Sequence, residues 1–174
     1  MTAVLDMAAP QLDRAETRGF PDDTTLGIAR EARLDRRVAN PVADARAFAL
    51  ACAWDWCLPE TTRNDIVLVV DELVANAVKH AAWPAGRHVV LLRLGLIGQH
   101  VSVEVRDPDP RSPRWPGSQV WDLAVIDGPA DPDDEELVRG HGLGIVAALV
   151  DDLCALQEPH GKVVRASIFI GGAR

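Results

Sequence analysis

A chain of 174 residues, 48% of them hydrophobic, is long enough to bury the core of one well-packed globular domain, which is the default expectation. Its 26 acidic side chains outnumber 18 basic ones for a net charge of -8, and no segment clusters Lys and Arg, which argues against a nucleic-acid partner held through phosphates. No stretch approaches the roughly 20 apolar residues that span a bilayer, and no basic segment precedes an apolar run at the N-terminus, so the expectation is a cytoplasmic protein without a membrane partner.

Residues 1–23 mix Pro, Asp, Arg and Ala without periodicity and predict a mobile leader, leaving residues 24–174 as a single domain. Thr24 to Val38 alternates weakly and predicts a first strand. Pro41 then opens a helix whose stripe is Val42, Ala45, Phe48, Ala49 and Cys52, ending before Pro59. A second helix is predicted from Asp65 to Ala81. Ile66, Val69, Val70, Leu73, Val74 and Ala77 recur there at helical spacing and belong to a core, whereas Glu72, Asn76, Lys79 and His80 share another side. A surface Glu is ordinarily followed four residues later by a cation. Here Glu72 is followed by the neutral amide of Asn76, which offers an oxygen without compensating charge and suits a ligand site.

Trp83-Pro84-Ala85-Gly86 is turn chemistry, after which Val89 to Leu96 predicts a strand. Val101, Val103 and Val105 alternate with Ser102, Glu104 and Arg106 in a second, half-buried strand that ends at Asp107, and Gly98-Gln99-His100 links the two as an antiparallel hairpin. Pro108, Pro110, Pro113, Pro116, Pro129 and Pro132, with the acidic run Asp131 to Glu136, mark a loop over about 108–139 whose composition suits either a lid or an unstructured linker. Gly140-His141-Gly142-Leu143-Gly144 opens an apolar helix through Val150, and strands at Leu153–Gln157 and Val163–Ile170 follow around a turn at His160-Gly161-Lys162. Cys52, Cys57 and Cys154 match neither a zinc ribbon nor a redox Cys-x-x-Cys pair and predict reduced, buried thiols; the histidines lack metal-ligand spacing.

Three pieces carry chemistry. The glycines at 140, 142 and 144 leave backbone N–H groups unobstructed at the positive end of a helix, where an anion is favoured, although glycines before a helix also serve as a plain turn. Their spacing is neither that of a dinucleotide-binding fingerprint nor that of a P-loop. Asp107 enters the loop from a strand end; it is either a turn residue ahead of Pro108 or an acceptor for an exocyclic amine, which adenine presents and guanine does not present at that position. The Glu72–Asn76 pair is the third.

In this order, ELVANAVKH, VEVRDPDP and GHGLGI resemble the Asn-bearing helix, the adenine-binding strand end and the second glycine box of the GHKL ATPase superfamily, and Gly161-Lys162 fits the strand that follows. The short domain and the wording DELVANAVKHA most resemble anti-sigma-factor serine/threonine kinases and related actinobacterial regulatory ATP-binding proteins, over about Pro41 to Ile170. The resemblance implies an α/β (α+β) two-layer sandwich, with helices on one face of a mostly antiparallel sheet and ATP between the helices and the lid. It implies that Asn76 ligates Mg2+, that Asp107, with Asp109 beside it, meets the adenine amine, and that Gly140, His141, Gly142, Leu143 and Gly144 approach the phosphates. Glu72 would orient or deprotonate the attacking hydroxyl, and Lys79 and His80 would reach phosphates. Where the superfamily usually has glycines after the adenine-binding Asp, this chain reads Pro108-Asp109-Pro110. Relatives also often have Arg at the position of His141 and Thr near Val163.

The activity so implied is transfer of the ATP γ-phosphoryl to a protein serine, with a sigma factor, an anti-sigma antagonist or both as partners and a homodimer left open. A nucleotide-sensing interaction module with weak or no catalysis, and an interaction domain that has lost ATP, are the rival readings.

Overall fold

Asn40 opens the first helix: its side-chain oxygen accepts from the Ala43 N–H at 3.0 Å, and Pro41 fills the first helical position, where a missing N–H costs nothing. This helix, α1, spans Pro41–Asp55. The computed structural model describes residues 27–113 and 142–171, so the expected leader, the lid beyond residue 113, Gly140 and His141 lie outside the described residues.

Helix α2 spans Glu60–His80 and begins right after Pro59 rather than at Asp65 as the pattern predicts. The stretch Glu60-Thr61-Thr62-Arg63-Asn64 is polar and conceals the first turns from a hydrophobicity reading, yet Thr62 is buried beneath the helix. Ile66, Val69, Val70, Leu73, Val74 and Ala77 form the buried stripe expected of them. From α1, Ala45, Ala49, Cys52 and Ala53 bury their small side chains, which lets the two helices approach closely. Arg46 ties them at the surface, its Nε lying 2.9 Å from Asp71 Oδ2.

Five strands follow the predicted positions: β1 Ile28–Asp35, β2 Val89–Ile97, β3 His100–Asp107, β4 Asp152–Glu158 and β5 Gly161–Phe169. Their order across the sheet is β1-β2-β3-β5-β4, and every pairing is antiparallel. Val101, Val103 and Val105 of β3 point to the same face as Val90, Leu92 and Leu94 of β2 and Val164, Ala166 and Ile168 of β5; all are buried with the α1 and α2 stripes in one core. Helix α3, Gly142–Leu149, adds Leu143 and Val146. The architecture is the two-layer sandwich expected.

The other face of the sheet carries an ionic row beside apolar Leu91, Val163 and Leu156. Arg93, Glu104 and Arg165 occupy adjacent positions on β2, β3 and β5, and Glu104 Oε1 accepts from Arg165 Nε at 2.8 Å. Arg106 lies 2.7 Å from Glu158 on the same face. Cross-strand neighbours of opposite sign stabilise each other in such a row.

Two expectations are corrected. All three cysteines are free, as expected, but only Cys52 is buried; Cys154 is half-buried, and Cys57 is exposed at the end of α1 with a φ of 53°. The turn between the last two strands is Pro159-His160 alone, because Gly161 and Lys162 already pair within β5, opposite Glu158 and Gln157.

Candidate functional site

Glu72 is half-buried on α2 and faces the start of α3. A Cβ built on Gly142 would stand 2.3 Å from Glu72 Oε2, so the carboxylate fills the space that the glycine leaves open. An anion there faces the positive end of α3. Asn76, one turn further along α2, is half-buried, and its side chain makes no hydrogen bond among the described residues. Leu143 is buried in the core and holds the first turn of α3 down, while Gly144 is half-buried beside it. Lys79 and His80 occupy the exposed last turn of α2, where positive charge suits the helix C-terminus.

The other half of the site is the end of β3. Asp107 pairs with Lys162 across the β3–β5 register, and Lys162 Nζ lies 2.9 Å from Asp107 Oδ1. Both residues are buried, at 3% and 4% exposure, so this is an internal ion pair. The same Oδ1 also accepts from the Asp109 N–H at 2.9 Å, and Lys162 Nζ donates to the Asp109 carbonyl at 3.1 Å. Burial pushes the Asp107 carboxyl above the usual carboxylate range, against the opposing pull of Lys162 and the Asp109 N–H.

Asp109 behaves in the opposite way. Its carboxylate accepts from the backbone and guanidinium of Arg111 and, at 2.8 Å, from the N–H of Ala82 just beyond α2. The Arg111 pairing holds it well below the ordinary range. Thus Asp109 is spent on structure: it moors the Pro108-Asp109-Pro110 turn to the C-terminal end of α2. Rising 1.5 Å per residue, the helix separates Glu72 from that end by roughly 12 Å. The two halves of the site therefore lie along one helix.

Gly161 makes the strand-end geometry possible. Its φ is 152°, and an added Cβ would meet the Asp107 carbonyl oxygen at 2.0 Å and Pro108 Cα at 2.8 Å. Only glycine lets the chains pass this closely.

Of the expected site residues, Glu72 and Gly142 come together, Asn76 lies one turn from Glu72 along α2, Leu143 and Gly144 stand in the first turn of α3, and Asp107 and Asp109 share the strand-end cluster. Lys79 and His80 stay at the exposed end of α2. Among the described residues no three His, Cys, Asp or Glu side chains converge on a metal position. Lys162, which the sequence reading matched to the family's following strand without giving it a role, is the residue whose part in the site the structure adds. Its signal was a lone ammonium entering an apolar strand, which the hairpin reading assigned to the turn.

The sequence pattern of the histidine kinase-like ATPase domain matches residues 36–168. A solved structure of the RsbU and RsbW domains of Rv1364c from Mycobacterium tuberculosis superposes with a TM-score of 0.58 at 18% identity, over 84% of this chain and 34% of that one. This chain thus spans about a third of that protein, and the likeness establishes the fold alone. The Acinetobacter baumannii histidine kinase AdeS aligns over 82% of this chain and 68% of its own at 18% identity, with a TM-score of 0.40, too low to argue from. No curated protein matches significantly.

Proposed function

We propose that this chain, which belongs to the histidine kinase-like ATPase domain family, binds Mg-ATP between α2, α3 and the end of β3 and transfers the γ-phosphoryl to a serine of a partner protein. The observation that carries the reading is the meeting of the Glu72 carboxylate with the glycine-opened N-terminus of α3, one helical turn from a half-buried amide without a hydrogen-bonded partner among the described residues. Membership of the family supports ATP as ligand. The wording DELVANAVKHA supports a cytoplasmic regulator of the anti-sigma kind, with an antagonist protein as substrate and a sigma factor as the sequestered partner.

In this reading the first N–H groups of α3, at Gly142, Leu143 and Gly144, bind phosphate oxygens, since the opening turn of a helix leaves its N–H groups without intrahelical acceptors. Asn76 would supply a carbonyl oxygen to Mg2+, an ion that commonly takes one or two protein ligands and its remaining oxygens from phosphates and water. The bound ion would supply charge neutralisation between phosphates. Glu72 accepts the proton of the attacking hydroxyl or orients it, standing one turn from the metal ligand. Asp107 accepts from the base through Oδ2, the oxygen that takes no hydrogen bond among the described residues. Lys79 and His80 have the freedom to swing toward phosphates.

A second reading, a nucleotide-sensing interaction module without turnover, draws support from Asp107, whose Oδ1 already receives two hydrogen bonds and whose charge Lys162 balances. Titration of wild type, Asn76→Ala and Asp107→Asn with Mg-ATP tests the pocket. Weaker binding in both variants supports it, and equal binding in all three places any nucleotide elsewhere.

A further inference from the structure

A carboxylate alone can only accept, so a base-reading Asp selects a ring edge that donates. In this chain the carboxylate does not stand alone. Lys162 Nζ is held 2.9 Å from Asp107 Oδ1 and 3.1 Å from the Asp109 carbonyl. Those two bonds use two of the three ammonium protons, and the third has no acceptor among the described residues. Asp107 Oδ2 is the neighbouring acceptor that takes no hydrogen bond among the described residues. A donor and an acceptor, carried by two buried residues, therefore stand side by side where the end of β3 meets the start of β5.

We infer that Lys162 is a second base-reading group and that this site takes 6-oxopurine nucleotides, those of guanine and hypoxanthine, as readily as it takes ATP. The inference rests on the nucleotide-binding reading above. Adenine presents an amine at C6 and an acceptor at N1; guanine and hypoxanthine present a carbonyl at C6 and a donor at N1. A lone carboxylate meets only one half of either edge. The Asp107–Lys162 pair meets both halves of both, with donor and acceptor exchanging places between the two kinds of base.

Lysine cannot accept a hydrogen bond, so the added recognition is for a carbonyl or a ring nitrogen. Its positive charge also makes the carboxylate a weaker magnet for an amine, which reduces the advantage that adenine would otherwise hold. Gly161 fixes the arrangement, because its lack of a side chain allows β5 to pass against the Asp107 backbone and so brings Lys162 level with the carboxylate.

The full chain is titrated calorimetrically with Mg-ATP, Mg-GTP and Mg-ITP, as wild type, Lys162→Met and Asp107→Asn. Wild type is expected to bind GTP and ITP within about tenfold of ATP, since each edge makes two hydrogen bonds with the pair. Lys162→Met removes the donor but keeps an aliphatic chain of similar length, and GTP and ITP should then weaken roughly tenfold more than ATP does. A wild type that prefers ATP by about 100-fold or more overturns the inference without any variant. Equal weakening of all three nucleotides in folded Lys162→Met also overturns it and makes Lys162 a structural counter-ion. Absence of binding by every nucleotide to wild type removes the nucleotide-binding reading itself, and the inference with it; ATP binding that depends on Asp107 but not on Lys162 removes the inference alone.

Discussion

Glu72 and Gly142 are fitted to each other: the Glu72 carboxylate occupies the volume in which any larger residue at 142 would place its Cβ, with Oε2 2.3 Å from that point. The contact is with the far end of a flexible side chain. A methyl group at 142 would therefore push the carboxylate aside at little cost to the fold.

Gly142→Ala is expected to change stability by less than about 1 kcal/mol while lowering phosphoryl transfer roughly 100-fold, because displacing a reacting group by about an ångström is costly to rate. Thermal melts paired with a phosphotransfer assay on a serine-bearing partner check both halves. A variant with full activity would remove this contact from the mechanism.

Glu72→Gln keeps shape and hydrogen-bonding capacity but loses the base. Transfer should fall by roughly 100-fold or more with nucleotide affinity nearly unchanged, the signature of a general base. Parallel loss of binding would instead make Glu72 a ligand-positioning group.

Gly161→Ala forces a Cβ against the Asp107 carbonyl oxygen and Pro108 Cα, both backbone atoms that cannot swing away, at a φ of 152° that side chains resist. Destabilisation of about 2 kcal/mol or more is expected, read as a lower denaturant midpoint. Wild-type stability in the variant would contradict the close passage of β3 and β5.

Asp109 links stability to pH. Its carboxyl is held below its ordinary value of 3.8, first by Arg111, so the folded state binds this proton less readily than the unfolded chain. The stabilisation is fully present above the ordinary value and drains away as pH falls through the lower folded value. Asp107, raised by burial, acts in the opposite sense, since its contribution shrinks as pH rises. In urea unfolding at successive pH values, Asp109→Asn should be less stable than wild type near neutrality, and the gap should narrow as the solution is acidified below about 4. A gap independent of pH would assign the effect to the Ala82 and Arg111 hydrogen bonds alone.

Much of this architecture was legible because its signals are local. The Val101, Val103 and Val105 alternation reports which face of β3 is buried, and the six apolar positions of α2 report its core stripe. Glu72 and Asn76 were legible for a similar reason, since spacing by four on a helix fixes their shared side. The first turns of α2 were concealed by a polar run whose helicity rests on Pro59, Glu60 and a buried Thr62 rather than on periodic hydrophobicity. The pairing of Asp107 with Lys162 was concealed by distance. The two residues stand 55 positions apart, and only the β3–β5 register, a tertiary fact, places them side by side.

That register also has a kinetic side. β2 with β3, and β4 with β5, are hairpins closed by neighbours in the chain, whereas β3 meets β5 only after a long intervening segment has been looped out. Closing such a loop costs entropy before any contact repays it, so the central seam of the sheet should zip late, after both hairpins exist. The Asp107–Lys162 pairing would then be among the last contacts the molecule makes as it folds and among the first it forfeits when the two hairpins separate.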